Sequence, residues 1–288
     1  MFNQLQQIRR LIAANLLFIL LAGTLTACQA PQHALEHLAT QHNYQLHKQL
    51  LAGLPLVSLV PKQTNNSRIL RIYLEGDGRA WITRSQPSLD PTPRHLLIAQ
   101  LAMQDPLPSI YLARPCQFIK HDNCRTELWT HARFSQEVLT SLSLALDQLR
   151  SEFKNDRFEL VGYSGGGTLA LLLAAQRTDI TQVQTIAGNL SPRLWAKQHN
   201  LTPLSLSLDP LDYAEQLKNI KQRHFVGALD SNTSPELFKQ YIKQLIPLST
   251  CIERITVANA DHKNGWEHAW NTTANQPITC LTKHQLMQ

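Results

Sequence analysis

The sequence predicts an α/β fold in which a mostly parallel β-sheet is covered by helices on both faces. Short apolar runs of strand length alternate with longer segments in which apolar residues recur at helical spacing. A chain of 288 residues, 43% of them hydrophobic, can bury one large core, and 17% of charged residues is too few for a disordered chain. The alternation therefore indicates one sheet domain with crossover helices.

The elements follow in order along the chain. Residues 134–153 have the clearest helical pattern, because Val138, Leu142 and Leu149 fall on one face. Pro and Ser residues crowd 85–93 and predict a loop. Strands are predicted at 44–50, 54–60, 69–74, 109–113, 158–161, 183–187, 224–229 and 252–258. Helices are predicted at 33–41, 95–103, 134–153, 168–176 and 235–245, and residues 189–220 are less regular.

The N-terminus has the features of an export signal. Arg9 and Arg10 precede an apolar stretch, residues 11–25, that is short for a membrane span. The stretch ends in Leu25-Thr26-Ala27-Cys28, which resembles a bacterial lipobox, where a peptidase cuts before a cysteine that carries diacylglycerol. We therefore expect a lipoprotein signal peptide over 1–27 that is removed, and a single domain over 28–288.

The resemblance implies a cell-envelope protein that is lipid-anchored through Cys28 and faces the periplasm. Gln29, rather than Asp, follows the cysteine, and by the lipoprotein sorting rule this implies the outer membrane. An uncleaved anchor helix with an incidental cysteine is the alternative. The formal net charge of +6 falls by two when Arg9 and Arg10 are removed, which is too little and too scattered to indicate nucleic acid.

Four cysteines remain besides Cys28, an even number that suits an oxidising compartment. Of their three connectivities we expect Cys116–Cys124 and Cys251–Cys280, because each pair closes a local loop. Four reduced thiols are the alternative. A metal site is not expected, because no C-x-x-C or H-E-x-x-H spacing occurs.

The segment Gly162-Tyr163-Ser164-Gly165-Gly166 fits the pattern G-x-S-x-G between a predicted buried strand and a predicted helix. This context is typical of the nucleophile turn of α/β hydrolases, where the glycines give room and the serine hydroxyl is exposed above the sheet. The motif therefore predicts an α/β-hydrolase fold with Ser164 as nucleophile. A glycine-rich turn with an inert serine is the alternative.

A serine hydroxyl needs a base and an orienting carboxylate, which follow in the order Ser, acid, His in this fold. Asp230 directly follows the predicted strand 224–229 and is the best candidate for the acid. A helix-capping or turn role is its alternative. Asp209 and Asp212 lie between elements and are weaker candidates.

His262 follows the last predicted strand by a few residues and is the candidate base. His268 is the reserve, and we expect it on a final helix whose Trp266 and Trp270 are packing residues. Two backbone N–H groups should stabilise the oxyanion. Gly165 should supply one of them, and Asp77, in the Glu75-Gly76-Asp77-Gly78 loop, the other.

The carboxylate of Asp77 should turn away from an oxyanion, toward Arg79. A plain Gly-Asp-Gly turn is the alternative reading of this loop. In the less regular stretch 189–220, Trp195 and Tyr213 could belong to a small cap that selects chain length. Ordinary packing is the alternative for either aromatic ring.

The segments LEGDGRAW, DPTPR, YLARPCQ, GYSGGG, VGALD and ADHKNGW resemble those of an α/β-hydrolase family of proteobacterial lipoproteins. The similarity covers most of residues 55–270 and departs from the family pattern at Lys263-Asn264. It implies an α/β-hydrolase fold, no cofactor, and the roles given above for Ser164, Asp230 and His262.

The sequence thus predicts a serine hydrolase that forms an acyl-enzyme, with a small-molecule or lipid ester as its substrate. Thioesters, amides and transfer to another acceptor stay open, as does the oligomeric state. The competing hypothesis is a catalytically inactive α/β-hydrolase-fold lipoprotein that serves as a binding or structural protein of the envelope.

Overall fold

A computed structural model of the chain describes residues 31–63, 67–245 and 251–287. Cys28 and the signal segment predicted over 1–27 lie outside the described residues. Across the described ranges, no helix is both long enough and apolar enough to cross a membrane.

Eight strands form one sheet in the order β1-β2-β4-β3-β5-β6-β7-β8. β2 pairs antiparallel with both β1 and β4, whereas the remaining neighbours pair in parallel. The strands are β1 Tyr44–Leu51, β2 Leu54–Pro61, β3 Ile69–Leu74, β4 Ser109–Leu112, β5 Arg157–Tyr163, β6 Ile180–Ile186, β7 Lys221–Gly227 and β8 Ile252–Val257.

Nine α-helices and two short 3-10 helices, Thr126–Trp129 and Pro210–Tyr213, occur in the described part of the chain. The α-helices are α1 Pro31–Gln41, α2 Leu97–Gln104, α3 Gln136–Phe153, α4 Gly165–Gln176, α5 Pro192–Gln198, α6 Ala214–Leu217, α7 Pro235–Leu245, α8 Glu267–Thr273 and α9 Lys283–Met287. Within the less regular stretch 189–220, α5 and α6 are thus helical.

The sheet separates two hydrophobic clusters. Leu70, Ile72 and Leu74 of β3 belong to one cluster and Tyr73 to the other, because successive strand residues point to opposite faces. Residues of α3, α4 and α7 join the first cluster, and residues of α1, α2 and α8 join the second. Both faces are therefore covered, as the alternation of elements predicts.

The two disulfides have the predicted pairing. Cys116 is bonded to Cys124, and Cys251 to Cys280. The first closes a loop after β4, and the second ties the start of β8 to the C-terminal segment. Leu281 N donates to Ile252 O beside the second disulfide, at 2.9 Å.

Candidate active site

Ser164 lies in the turn between β5 and α4. Its backbone has φ 51° and ψ −120°, a left-handed conformation that a residue with a side chain rarely adopts. The turn is so tight that a Cβ built on Gly162 would lie 2.3 Å from Gly166 O. Only glycine fits there, and the turn holds the hydroxyl of Ser164 at the carboxyl edge of the sheet.

The structure brings Ser164, His262 and Asp230 together. Nε2 of His262 lies 3.0 Å from Oγ of Ser164, and Nδ1 of His262 lies 2.9 Å from Oδ2 of Asp230. The serine is at the end of β5, the carboxylate follows β7 and the imidazole follows β8. Parallel strands thus deliver the three side chains to one edge of the sheet.

Asp230 is fully buried and richly hydrogen-bonded. It accepts from the amides of Asn232 and Thr233 at 2.8 and 3.0 Å, and from Thr233 Oγ1 at 2.7 Å. Burial opposes its ionisation, but the hydrogen bonds from His262 and Thr233, with the charge of His262, lower the pKa of Asp230. The group is therefore an ionised acceptor for Nδ1–H of His262, and Nε2 is left to accept a proton.

The loop that carries His262 is fixed on both sides. Tyr163 donates its hydroxyl to the backbone carbonyl of His262 at 2.7 Å, and the two rings lie 5.6 Å apart. Asp261 accepts from the amides of Lys263 and Asn264 and so closes the turn after the histidine. These contacts hold the imidazole over Ser164.

The other candidate bases and acids lie elsewhere. His268 is exposed on α8, while Trp266 and Trp270 are buried packing residues. Asp209 accepts from Ser191 Oγ and does not contact His262 within the described residues.

The loop after β3 lies against the serine turn, as the sequence predicts. A Cβ built on Gly76 would lie 3.2 Å from Cβ of Ser164, and one built on Gly165 would lie 2.1 Å from Oδ1 of Asp77. Among the described residues, the N–H groups of Asp77 and Gly165 donate no hydrogen bond. Both groups are thus free to serve an oxyanion beside Ser164.

The expectation that the Asp77 carboxylate turns toward Arg79 is wrong. The carboxylate is paired with Arg114 and, at 2.6 Å, with Nη1 of Arg133. Burial opposes the ionisation of Asp77, but the two guanidinium groups lower its pKa. Two cations therefore neutralise the carboxylate of Asp77, and Arg79 is left without that partner.

Glu75 is a buried acid at the base of the same cleft. Only 2% of its surface is exposed, and its carboxylate accepts from Tyr111 Oη at 2.9 Å and from the amide of Gly76 at 2.8 Å. Burial raises the pKa of Glu75 to about 7. Sequence reasoning treated Glu75 only as part of the loop, because burial is not visible in the loop pattern.

Asn232 is a second residue that sequence reasoning missed. Its Nδ2 lies 3.0 Å from Nε2 of His262, while its Oδ1 accepts from Nε1 of Trp195 at 3.1 Å. The Trp195 contact fixes the amide orientation, so Nδ2 donates toward the same lone pair as Ser164. The position of Asn232 two residues after the candidate acid Asp230 was the only sequence feature that could have placed it near His262. Helix α5 is linked to the imidazole through this amide, and the cap over 189–220 stays a prediction.

A cleft of about 600 Å³ opens above Ser164 and His262. Its lining includes Trp81, Trp195 and Asn232 together with Glu75, Asp77 and several basic residues. No cluster of three His, Cys, Asp or Glu side chains suited to a metal ion is found in the described ranges.

No protein-family model matches the sequence, and no curated protein matches it. Solved structures do match. An esterase of Pyrococcus furiosus superposes with a TM-score of 0.59 at 12% identity, over 82% of this chain and 92% of the esterase. Est1E from Butyrivibrio proteoclasticus gives a TM-score of 0.55 at 14% identity, over 79% of this chain and 95% of Est1E.

A third match is 2,6-dihydroxy-pseudo-oxynicotine hydrolase, with a TM-score of 0.55 at 15% identity, over 83% of this chain and 71% of the hydrolase. Together with the eight-stranded, mostly parallel sheet, these similarities show that the chain has the α/β-hydrolase fold. The fold predicted from the sequence is confirmed.

Proposed function

We propose that the chain is a serine hydrolase that acts on carboxylic esters through an acyl-enzyme. One observation carries the proposal: Ser164 Oγ, His262 and Asp230 form a continuous hydrogen-bonded chain, with distances of 3.0 and 2.9 Å. Ser164 follows β5 and His262 follows β8, and these strands are separated in the sheet by β6 and β7, so the alignment joins side chains from non-neighbouring strands.

In the proposed reaction, His262 Nε2 takes the proton of Ser164 while Oγ bonds to the carbonyl carbon of the ester. The electron pair of the carbonyl moves to its oxygen, which accepts from the N–H groups of Asp77 and Gly165. When the C–O bond breaks, Nε2–H gives its proton to the alcohol. Water then repeats the sequence on the acyl-enzyme and releases the acid.

Asp230 orients the imidazole in this scheme. Its carboxylate keeps the proton of neutral His262 on Nδ1 and stabilises the imidazolium that forms during attack. The pair of Arg114 and Arg133 adds a further contribution, because their two positive charges outweigh the one of Asp77 near the developing oxyanion. Thioesters and amides would pass through the same steps with different leaving groups.

We also propose that this hydrolase works in the bacterial cell envelope, anchored through a lipidated Cys28 and facing the periplasm. The proposal is supported by the Arg9-Arg10 start, the apolar stretch and the Leu25-Thr26-Ala27-Cys28 segment. The two disulfides agree with it, since they persist in oxidising compartments.

Labelling with a fluorophosphonate tests the reaction class. The reagent phosphonylates a serine only where a base activates the hydroxyl, so the protein is expected to take up the label at Ser164 and Ser164→Ala to lose it. Ser191→Ala, which alters another buried serine, is the matched control and should keep the label. A correctly folded protein that takes up no label would favour the inactive-scaffold alternative.

A further inference from the structure

We propose that the substrate is an acyl ester of a phosphorylated alcohol: the phosphate binds a basic site made of Arg79, Arg94 and Lys263, and the acyl chain enters an adjacent apolar cavity. This inference rests on the proposed hydrolase function and names its substrate class. All three basic side chains line the same cleft as Ser164 and His262.

In the part of the chain that the structure describes, the three cations of the basic site have no protein partner. Arg79, Arg94 and Lys263 are exposed, and within the described ranges none of their side chains forms an ion pair or a hydrogen bond. Asp261, two residues before Lys263, accepts the backbone N–H groups of Lys263 and Asn264 in the turn. A cleft that bears one sign of charge attracts ligands of the opposite sign.

The acidic residues of the cleft do not cancel this charge. Asp77 is committed to Arg114 and Arg133, so that cluster keeps one positive charge in excess. Glu75 is buried and is hydrogen-bonded to Tyr111 and Gly76. The exposed part of the cleft is therefore basic, and a phosphate with nearly two negative charges near neutral pH matches three cations better than a neutral ester does.

Backbone contacts hold the basic site in place. The amide of Arg79 donates to Pro91 O at 3.0 Å, which ties the segment of Arg79 to the segment that continues to Arg94. Gln117 Nε2 donates to Gly76 O at 3.0 Å and to Pro91 O at 3.4 Å, and so joins the same two segments. The two arginines thus project from a cross-linked loop pair.

A second cavity, of about 490 Å³, adjoins the cleft and shares Trp81, Arg133 and Trp195 with it. Ile82, Leu201 and Leu204 add apolar surface beside Arg84 and His199, and Trp81 and Ile82 are 38% and 47% exposed. Exposed apolar residues that line a cavity beside a nucleophile suit an alkyl chain. This cavity contains neither His262 nor the basic site.

Proton transfer from His262 to the leaving alcohol determines how the alcohol and acyl parts of the ester are oriented in the cleft. His262 must protonate the leaving alcohol, and Lys263 is the next residue, so the alcohol part lies on the side of the basic site. The acyl chain then extends past Trp81 and Trp195 into the apolar cavity. The ester that fits has an apolar acid and an anionic alcohol.

The test compares 1-butyrylglycerol 3-phosphate with 1-butyrylglycerol, with acid release followed by titration at constant pH. We expect kcat/KM to be at least tenfold higher for the phosphate ester. The ratio should fall toward one in the triple variant Arg79→Gln, Arg94→Gln, Lys263→Gln. It should also fall as sodium chloride is raised in the wild type, because salt screens exposed charges.

Lys243→Gln, which removes one exposed charge from α7 outside both cavities, should keep the ratio. A wild-type ratio of one or less, or a ratio that the triple variant does not change, would overturn the inference and leave the hydrolase proposal intact. Failure on both esters together with absence of fluorophosphonate labelling would instead overturn the proposed function.

Assays with the palmitoyl counterparts of both esters distinguish a lipid substrate from a soluble one. kcat/KM should rise with chain length for a lipid and fall for a soluble ester, and the phosphate preference is expected with either chain. Loss of the preference with the long chain would overturn the assignment of the two sites.

Discussion

Ser164 is held in its left-handed conformation by hydrogen bonds to both of its backbone groups. Its N–H donates to Ile186 O at 3.0 Å, and its carbonyl accepts from the amides of Gly167 and Asn189 at 3.0 and 2.8 Å. A conformation of this kind costs on the order of 1–3 kcal/mol and persists only where the surroundings determine it. The hydroxyl is thus positioned by β5, β6 and α4 before any substrate binds.

Single replacements at the three hydrogen-bonded residues should remove most of the activity. Ser164→Ala and His262→Ala are each expected to lower kcat by on the order of 10⁴–10⁶, and the double variant should lose little more, because the two side chains act as one unit. Asp230→Asn should cost somewhat less, since the oxyanion donors survive. Ester hydrolysis over several acyl chain lengths measures the effect.

Circular dichroism checks that each variant is folded. His268→Ala is the matched control for His262→Ala and should keep full activity, because His268 is exposed on α8. Full activity in folded Ser164→Ala protein would end the hydrolase hypothesis.

Glu75 should make the stability of the protein depend on pH. The pKa of Glu75 is raised by burial from 4.5 to about 7 in the folded protein, so the unfolded chain releases this proton first as pH rises. The free energy of unfolding should therefore fall between about pH 4.5 and 7, by up to about 3 kcal/mol. Urea unfolding at pH 5 and pH 7.5 measures the difference.

Glu75→Gln supplies the comparison, because the amide keeps an acceptor for Gly76 and cannot ionise. Its free energy of unfolding should lack this component and should exceed that of the wild type above pH 7. Parallel pH profiles for the two proteins would contradict the burial argument.

At the scale of elements, the two disulfides close loops of different length. Cys251 and Cys280 are 29 residues apart, and Cys116 and Cys124 are 8 apart. In the chain-entropy estimate, removing the longer link costs about 3.6 kcal/mol of unfolding free energy and the shorter about 2.6 kcal/mol. Paired Cys→Ser variants, compared by denaturant unfolding, should show this order.

Peptide mapping without reducing agent is the direct check on the pairing. Four free thiols in protein exported to the periplasm would contradict both links. Removal of the Cys116–Cys124 link is also expected to lower activity, because Arg114 and Gln117, which contact the loop after β3, lie on either side of Cys116.

Most strands and helices were predictable from the sequence. A strand that is buried on both faces is a continuous apolar run, whereas a helix that is buried on one face has apolar residues every three or four positions. The helix after Ser164 begins at Gly165 rather than at 168, since the glycines of the turn carry no apolar signal. Likewise β6 begins at Ile180, before the apolar residues that marked it. The antiparallel pairing of β2 with β4 joins distant segments and has no local signature.

The sequence predicted those site residues whose place in the fold is marked by a preceding strand. It did not predict contacts between side chains that are distant in the sequence. Ser164, Asp230 and His262 each follow a recognisable strand. Asp77 instead pairs with Arg114 and Arg133, which are 37 and 56 residues away, so the nearby Arg79 was the wrong choice. Only the three-dimensional contacts reveal such pairs.

At the scale of the whole molecule, the described body begins at α1, three residues after Cys28. The lipoprotein proposal predicts that metabolic palmitate labels the wild type and that Cys28→Ala takes up none and is lost from the membrane fraction. Cys251→Ser is a matched control, because it removes another cysteine without touching the lipobox. Absence of label in the wild type would contradict the proposed anchor.

The crowding of the serine turn bears on how the evolution of this chain is to be traced. We expect selection for folding to retain Gly162 and Gly165, since a Cβ there would lie 2.3 Å from Gly166 O or 2.1 Å from Asp77 Oδ1. A descendant that lost its chemistry would keep both glycines while Ser164 and His262 drifted. Among homologous sequences, the two glycines should therefore indicate common descent. The residues at positions 164, 230 and 262 should distinguish active enzymes from inactive relatives.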